Sequence, residues 1–564
     1  MVSCSPSKPG SQEKVSQDKE IISADDNTSY SLLEKIIAIQ TWRAPDGSNS
    51  QVLSENLNAV KNIIWQDLSR FNEQQKNIKF TQHEWKKTIN GREYWVYSYR
   101  IGAGERLLSV ISHLDTVPPG DDGWDPFKLR REERSYSGEA PQTFLVGRGA
   151  IDDKGPAVFA LEAIKMIAQK YDDKENGLGD ITVEMLFDTS EETGMSMPKY
   201  FADCPECEPY FGIVFDSKWC VRAEKGIERP TFSVDLINNE SDAIQVSFID
   251  TYNNPVNQIP GKVLVRFEGP ETALESLKVS ISARYTKAIF DDPEYRKASL
   301  TIVSDARESD NNYSFDITLE VAGAQHGSVP HKNRANGVNP FVSALNMIAL
   351  LSRENIILKE NSYSRLANFA TWMWGTKVLG EHHAQLFARP DGIFDPGTTY
   401  AVTKINKSQG EGKEKLILFV DIRYALDHHE NSWSGKDGSI SGKSKFSAIF
   451  RDLTNQYNSK FSEEIDFSTV TIYAPDIRNP ENRYLQTVNS AYKKIMGEDC
   501  PMKSIGGGTD AKGRPNLVAV GPLFRDDAGY PVNYHGINEA APLAALQKSK
   551  DILFEILRRE ISGE

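Results

Sequence analysis

The stretch Leu107–Gly120 reads LLSVISHLDTVPPG. Six apolar or small residues run without interruption into a histidine, an aspartate and a proline turn. A short apolar run of this kind, closed by turn residues, is the signature of a fully buried strand. His113 then stands at the strand's carboxyl end. The pattern recurs. Ile181–Phe187 (ITVEMLF) runs into Asp188-Thr-Ser-Glu191-Glu192, and Tyr210–Phe215 (YFGIVF) runs into Asp216. Leu517–Val520 is a fourth such run. Between them Pro156–Tyr171 has helical spacing, with proline in the first turn where a missing N–H costs nothing.

Buried strands alternating with helices predict an α/β fold with a mixed, largely parallel sheet flanked by helices. Polar residues just past the strand ends lie where open α/β sheets place their sites. Outward from this core, Ser31–Trp42 and Val52–Phe71 read as opening helices. Glu93–Ile101 alternates as a strand, and Ala540–Ile561 reads as a long closing helix. The middle differs. Lys262–Phe267, Asp316–Val321 and Leu416–Val420 are strand-like, Pro340–Arg353 is the one clear helix, and Ser432–Ser444 is a Gly/Ser-rich connector. This predicts an α+β lid domain inserted into the first. The expected division is 1–27 as a disordered tail, 28–228 and 451–564 as a discontinuous catalytic domain, and 229–450 as the lid.

The 564 residues are long enough for two sizeable cores. Lys+Arg 65 against Asp+Glu 79 leaves a net charge of −14, with no basic stripe, which argues against a nucleic-acid partner. No apolar run approaches the roughly 20 residues of a transmembrane segment. Five cysteines do not make a disulfide scaffold. Cys204-Pro-Glu-Cys207 has zinc-ribbon or redox spacing without a second pair, so it reads as incidental or as a local disulfide. The chain as written carries no export signal and reads as cytoplasmic. The alternative is a bacterial envelope lipoprotein anchored at Cys4, because Val-Ser-Cys and a polar tether resemble a mature lipoprotein end.

One by one the polar positions are ambiguous. His113 alone suits a structural histidine, Glu191-Glu192 a solvated pair, and Asp152 in GRGAIDDKG (Gly147–Gly155) a turn. Their order and surroundings are not ambiguous. HLDTVPPG, GRGAIDDKG, the Glu-Glu pair, FDSKWCVRAEKG (Phe215–Gly226), AGAQHGSVPHKNRANG (Ala322–Gly337), GGGTDAKGRPNLVAVGP (Gly506–Pro522) and His535 resemble, in sequence order, the zinc metallopeptidases of aminoacylase, carnosinase and carboxypeptidase G type. AEKG, LGEHHAQLFARPDGIFDPGTTY (Leu379–Tyr400) and VDIRYA (Val420–Ala425) are most similar to the dipeptidase V (Xaa-His dipeptidase) branch.

The resemblance implies two Zn2+ ions, with Mn2+ or Co2+ possible for such a mixed N/O set. His113, Asp152 and Asp216 resemble the ligands of one, and Asp152, Glu192 and His535 those of the other. Asp115 is placed to hold the far nitrogen of His113. Glu191 resembles the general base, and His326 the oxyanion-stabilising histidine. Arg423 resembles the clamp on a substrate carboxylate, with Asn336, Gly507 and Gly508 beside it. The Asp152–Asp153 peptide is often cis in this family. Where the dipeptidase V branch has an aromatic residue this chain has Asp510, which either takes a substrate ammonium or pairs with Lys512. His382-His383 and His428-His429 match no ligand position and read as surface pairs.

The function implied is hydrolysis of unblocked dipeptides. An N-acyl amino-acid deacylase or desuccinylase of the same chemistry is the alternative, and a non-catalytic binding protein the third. A lid this long resembles the doubled lid of dipeptidase V, implying that His326 acts in cis in a monomer.

Overall fold

The computed structural model describes residues 29–564 apart from 45–46, 121–122, 238–242, 253, 289, 291–294, 296, 304–306, 310–311, 322–324, 331–338, 354–357, 389, 410–412 and 526–529. The expected tail, Cys4 and Asn336 lie outside the described residues.

The central sheet has six strands in the order Thr81–Ile89, Arg92–Ile101, Ile181–Asp188, Arg106–His113, Phe211–Val214 and Leu517–Ala519. The last four are mutually parallel, and the first two form an antiparallel edge. Every residue of Ile181–Asp188 is buried. Register places His113 beside Asp188, so the two strands deliver their polar ends to one level. Helices Ser50–Glu73, Lys154–Tyr171 and Leu543–Ser562 cover the sheet, and their apolar faces join its core. Helix Lys154–Tyr171 begins two residues before Pro156, so the proline is the third helical residue. The closing helix begins at Leu543. Ala540–Pro542 is instead a strand on Gln142–Val146.

A second core runs from Phe232 to Ile465. It lies between two antiparallel sheets and their helices. One sheet is built on Glu414–Tyr424, flanked by Thr231–Asp235, Thr399–Gln409 and Gly226–Glu228. The other is built on Lys262–Gly269 and Asn312–Glu320. Among the described residues, four helices serve this core, where the sequence pointed to one clear helix: Glu271–Lys287, Pro340–Arg353, Ser362–Met373 and Phe446–Phe461. The anticipated boundary at residue 450 falls inside the last of these. Its buried residues, from Phe446 to Tyr457, belong to the second core, so this helix goes with the insertion.

Two disulfides are present. Cys204–Cys207 is local, one of the two forms expected of that pair. Cys220–Cys500, 280 residues apart, ties the first part of the catalytic region to the second, a pairing the sequence reading did not anticipate.

Candidate active site

His113, the last residue of its strand, is 1% exposed. Its Nε2 lies 2.9 Å from Asp152 Oδ1 and 3.8 Å from Asp216 Oδ2. The other oxygen of Asp152 faces a different imidazole, with His535 Nε2 3.0 Å from Oδ2. His535 Nε2 is also 3.2 Å from Glu192 Oε1. One carboxylate thus stands between two imidazoles, each with a further carboxylate beside it.

Each residue is held by neighbours that sequence reading did not single out. The Asp152–Asp153 peptide is cis. Glu539 accepts hydrogen bonds from the Ile151 and Asp152 N–H groups at 3.0 and 3.1 Å, and from Arg148 at 2.6 Å. Asp153 Oδ2 accepts from the His113 N–H at 3.1 Å. Asp188 accepts from the Ser190 and Met197 N–H groups, both at 2.7 Å, and so brackets the short helix Glu191–Gly194. The signals were faint: an acid three residues past His535's glycine, the second of two aspartates, and an acid closing a strand. His535 has φ 59°, left-handed backbone that costs a non-glycine residue roughly 1 kcal/mol.

Asp115 lies against His113 Nδ1 through both its carbonyl and its carboxylate. The nearest group to His113 Nδ1 is the backbone carbonyl of Asp115, at 2.9 Å. Its carboxylate, 3.5 Å from Nδ1, accepts hydrogen bonds from the N–H groups of Glu191 (3.0 Å) and Glu192 (3.2 Å). Asp115 therefore links the first histidine to the turn carrying the glutamate pair.

His326 reaches the site from the inserted region. Its ring lies 5.0 Å from that of His535 in the same chain, edge to face. The Ser328 backbone N–H donates to its Nδ1 at 3.1 Å. A backbone N–H can only donate, so Nδ1 is unprotonated and the neutral ring carries its proton on Nε2. Burial, followed by His535 and Arg423, depresses its basicity. Arg423 is 2% exposed, donating from Nε to Asp421 at 2.7 Å and from Nη1 to the Gly506 carbonyl at 2.9 Å. A side chain on Gly506 would collide with the Ser328 carbonyl, whereas Gly507 faces open space. Asp152, Glu191, Glu192, Asp216, His326, Arg423 and His535 line one cleft of about 580 Å3, together with Arg229, Tyr473 and Gly508.

The electrostatics suit cations. Burial raises Glu191 well above the usual carboxylate range; His113 opposes this, while Asp216, Glu192 and Asp510 add to it. Burial likewise raises Asp216. Burial works against charge on His535, but Glu192 and Asp152 push it up to about 10. Glu192 Oε1 is buried and faces His535 Nε2 at 3.2 Å. Ligand atoms of His113, Asp152 and Glu192 lie within 4.8 Å of one another, as do those of His113, Glu191 and Asp216. A crowded, buried N/O donor set fits divalent metal, and buried carboxylates of this density need such compensation.

The model of peptidase family M20/M25/M40 matches residues 110–559. The chain belongs to this family. It is a hydrolase, an M20 metallopeptidase related to dipeptidases. The Beta-Ala-Xaa dipeptidase of Lactobacillus delbrueckii subsp. lactis is 25% identical over 477 residues, covering 82% of this chain and 84% of that protein. The crystal structure of human carnosine dipeptidase 1 shares the fold with a TM-score of 0.51 and 14% identity, covering 96% of this chain and 98% of that one. No helix of this M20 peptidase is long and apolar enough to cross a membrane, among the described residues.

Two further expectations change. Lys512 donates to the Lys225 carbonyl at 2.8 Å and lies 3.6 Å from Glu224, so it is engaged away from Asp510. Asp510 is buried, and its Oδ1 has no hydrogen-bond partner. His428 and His429 are not surface residues. They are 3% and 1% exposed, and His428 bridges Thr398 Oγ1 and the Gln385 carbonyl. They are packing residues of the inserted region, because His428 stacks on Phe446 and His429 on Tyr424.

Proposed function

We propose that this M20 peptidase is a dinuclear-metal dipeptidase acting on unblocked dipeptides with a free C-terminal carboxylate. One observation carries the reading: the two oxygens of Asp152 face His113 and His535 at 2.9 and 3.0 Å, the arrangement a bridging carboxylate requires. His113, Asp152 and Asp216 would hold one metal, and Asp152, Glu192 and His535 the other. Zn2+ fits this donor set, as do Mn2+ and Co2+. Bound there, such ions lower the pKa of water and polarise a carbonyl.

The chain's own residues supply the rest. Glu191 accepts the proton of the attacking water on its carboxylate and passes it to the leaving amine nitrogen. His326 donates from Nε2 to the carbonyl oxygen as negative charge develops there. Arg423 holds the terminal carboxylate, with the backbone N–H groups of Gly507 and Gly508 as further donors. Burial of the cleft strengthens each of these interactions. The cis approach of His326 to His535 supports a functional monomer, tested by light scattering, where an obligate dimer would overturn it. The two disulfides favour an oxidising compartment over the cytosol.

The decisive experiment is a panel of dipeptides against N-acetyl and N-succinyl amino acids, run with zinc, manganese and cobalt in turn. Glu191→Gln should lower kcat by about 10²–10⁴-fold while metal content stays at the wild-type level. Cleavage of the acylated set alone would replace the dipeptidase reading with a deacylase. Full activity in Glu191→Gln would remove the assigned base.

A further inference from the structure

Arg229 lies on the wall of the cleft and has no role in the scheme above. Strand Gly226–Glu228 runs antiparallel to Glu414–Tyr424, with Ile227 beside Arg423 and Glu228 beside Ile422. The chain therefore carries Arg229 to the level of Asp421. Asp421 is fully buried. One of its oxygens accepts from Arg423 Nε at 2.7 Å, and the other lies 3.7 Å from Arg229 Nε. That second oxygen and Arg229 Nε are both buried without a hydrogen-bond partner. Two guanidinium groups share one carboxylate, leaving one positive charge on the wall.

The two arginines are not equivalent. Arg423 is almost fully enclosed and has committed donors to Asp421 and to the Gly506 carbonyl. The Arg229 side chain is 38% exposed and faces the same cleft as His326 and Tyr473. A planar guanidinium presents a fork that matches a carboxylate. An enclosed arginine with half its fork spent holds one oxygen of an incoming anion well and the second poorly. Arg229 is the second guanidinium paired with Asp421, and it lies on the same wall.

We infer that Arg229 is the second arm of the carboxylate clamp, sharing the substrate's C-terminal carboxylate with Arg423 while Asp421 fixes the spacing of the two. This deepens the reading of the cleft as a dipeptide site and rests on it. The surplus of one positive charge matches one carboxylate. The clamp therefore selects substrates ending in a free carboxylate whose last side chain is uncharged, and it discriminates against C-terminal amides.

The test compares kcat/KM for alanyl-leucine and alanyl-leucinamide in the wild type, Arg229→Gln and Arg229→Lys. Where the amide is turned over below detection, the Ki values of the free acid and the amide as competitive inhibitors carry the same ratio. Arg229→Gln should lower kcat/KM for the acid about 10- to 100-fold, chiefly through KM. The amide should change less than about twofold, so the acid-to-amide ratio collapses, and Arg229→Lys should restore part of it. An equal fall for acid and amide, or no change for either, would overturn the proposal, since a structural role cannot distinguish them. If the wild type cleaves no dipeptide, the dipeptidase reading fails separately. The same ratio is then taken on N-acetyl-leucine and its amide, where collapse supports the clamp and its absence refutes it.

Discussion

Asp115→Asn isolates the contact that positions the glutamate pair. The wild-type carboxylate accepts from two backbone N–H groups, those of Glu191 and Glu192, and Asp115 is 2% exposed. An amide of the same shape keeps one oxygen and turns an NH2 toward the other N–H. The retained oxygen should serve Glu191 and the nearby His113 Nδ1, leaving the Glu192 N–H facing a donor. A buried donor left without a partner costs about 1–3 kcal/mol. If that cost falls on the alignment of Glu191 in the transition state, each 1.36 kcal/mol removes about a factor of ten. The variant should then lose roughly 10- to 100-fold in kcat, with KM changed less than about threefold. Steady-state kinetics with metal analysis and a thermal melt separate this from simple unfolding or metal loss. A variant with wild-type kcat and normal metal content would show that the Asp115 carboxylate does not hold the turn.

Other outcomes follow from the same geometry. Chelation should abolish activity and lower the melting temperature, because the crowded carboxylates lose their compensation, and divalent metal should restore both; a chelated protein that melts unchanged would contradict this. Cys220→Ser should destabilise the fold by about 5–6 kcal/mol in the chain-entropy account of a disulfide spanning 280 residues, read from urea melts of oxidised protein. Lys225 is pushed down to about 8, first by burial and against the pull of Asp391 and Asp395, from 10.5. The unfolded chain therefore binds the extra proton between about pH 8 and 10.5, so stability rises with pH across that window, by at most about 3 kcal/mol. Lys225→Met should flatten that rise in denaturant titrations at pH 8 and 10.

Much of this was legible in the sequence, for identifiable reasons. Parallel strands buried on both faces read as unbroken apolar runs, so Arg106–His113, Ile181–Asp188 and Phe211–Val214 stood out, with the polar residues at their ends. The edge strand Thr81–Ile89 carries TQHEWKKTI and is nowhere more than half-buried, so no apolar signal marked it. Helix Ser362–Met373 starts with a capping box closed by Ser364, and its serine-rich start resembles a connector. Helix Glu271–Lys287 buries Leu274, Leu277, Ile281 and Tyr285, but Val279 on its open side is 83% exposed and blurs the stripe. The supporting carboxylates Asp188 and Glu539 went unread because most of their partners are backbone N–H groups, which no side-chain pattern reveals. The pairing of Cys220 with Cys500 is set by tertiary structure alone.

The order in which the ribosome delivers these parts has a consequence of its own. Asp216 and His535 are separated by 319 residues, and Leu517–Ala519, the final strand of the central sheet, comes almost as late. At about 5–20 residues per second, roughly 15–60 s pass between them. Under the proposed ligand assignment, the nascent chain during that interval carries most of the site but not its last imidazole. On that assignment, a chain cut short within the lid should be inactive, because it lacks the segment that carries His535.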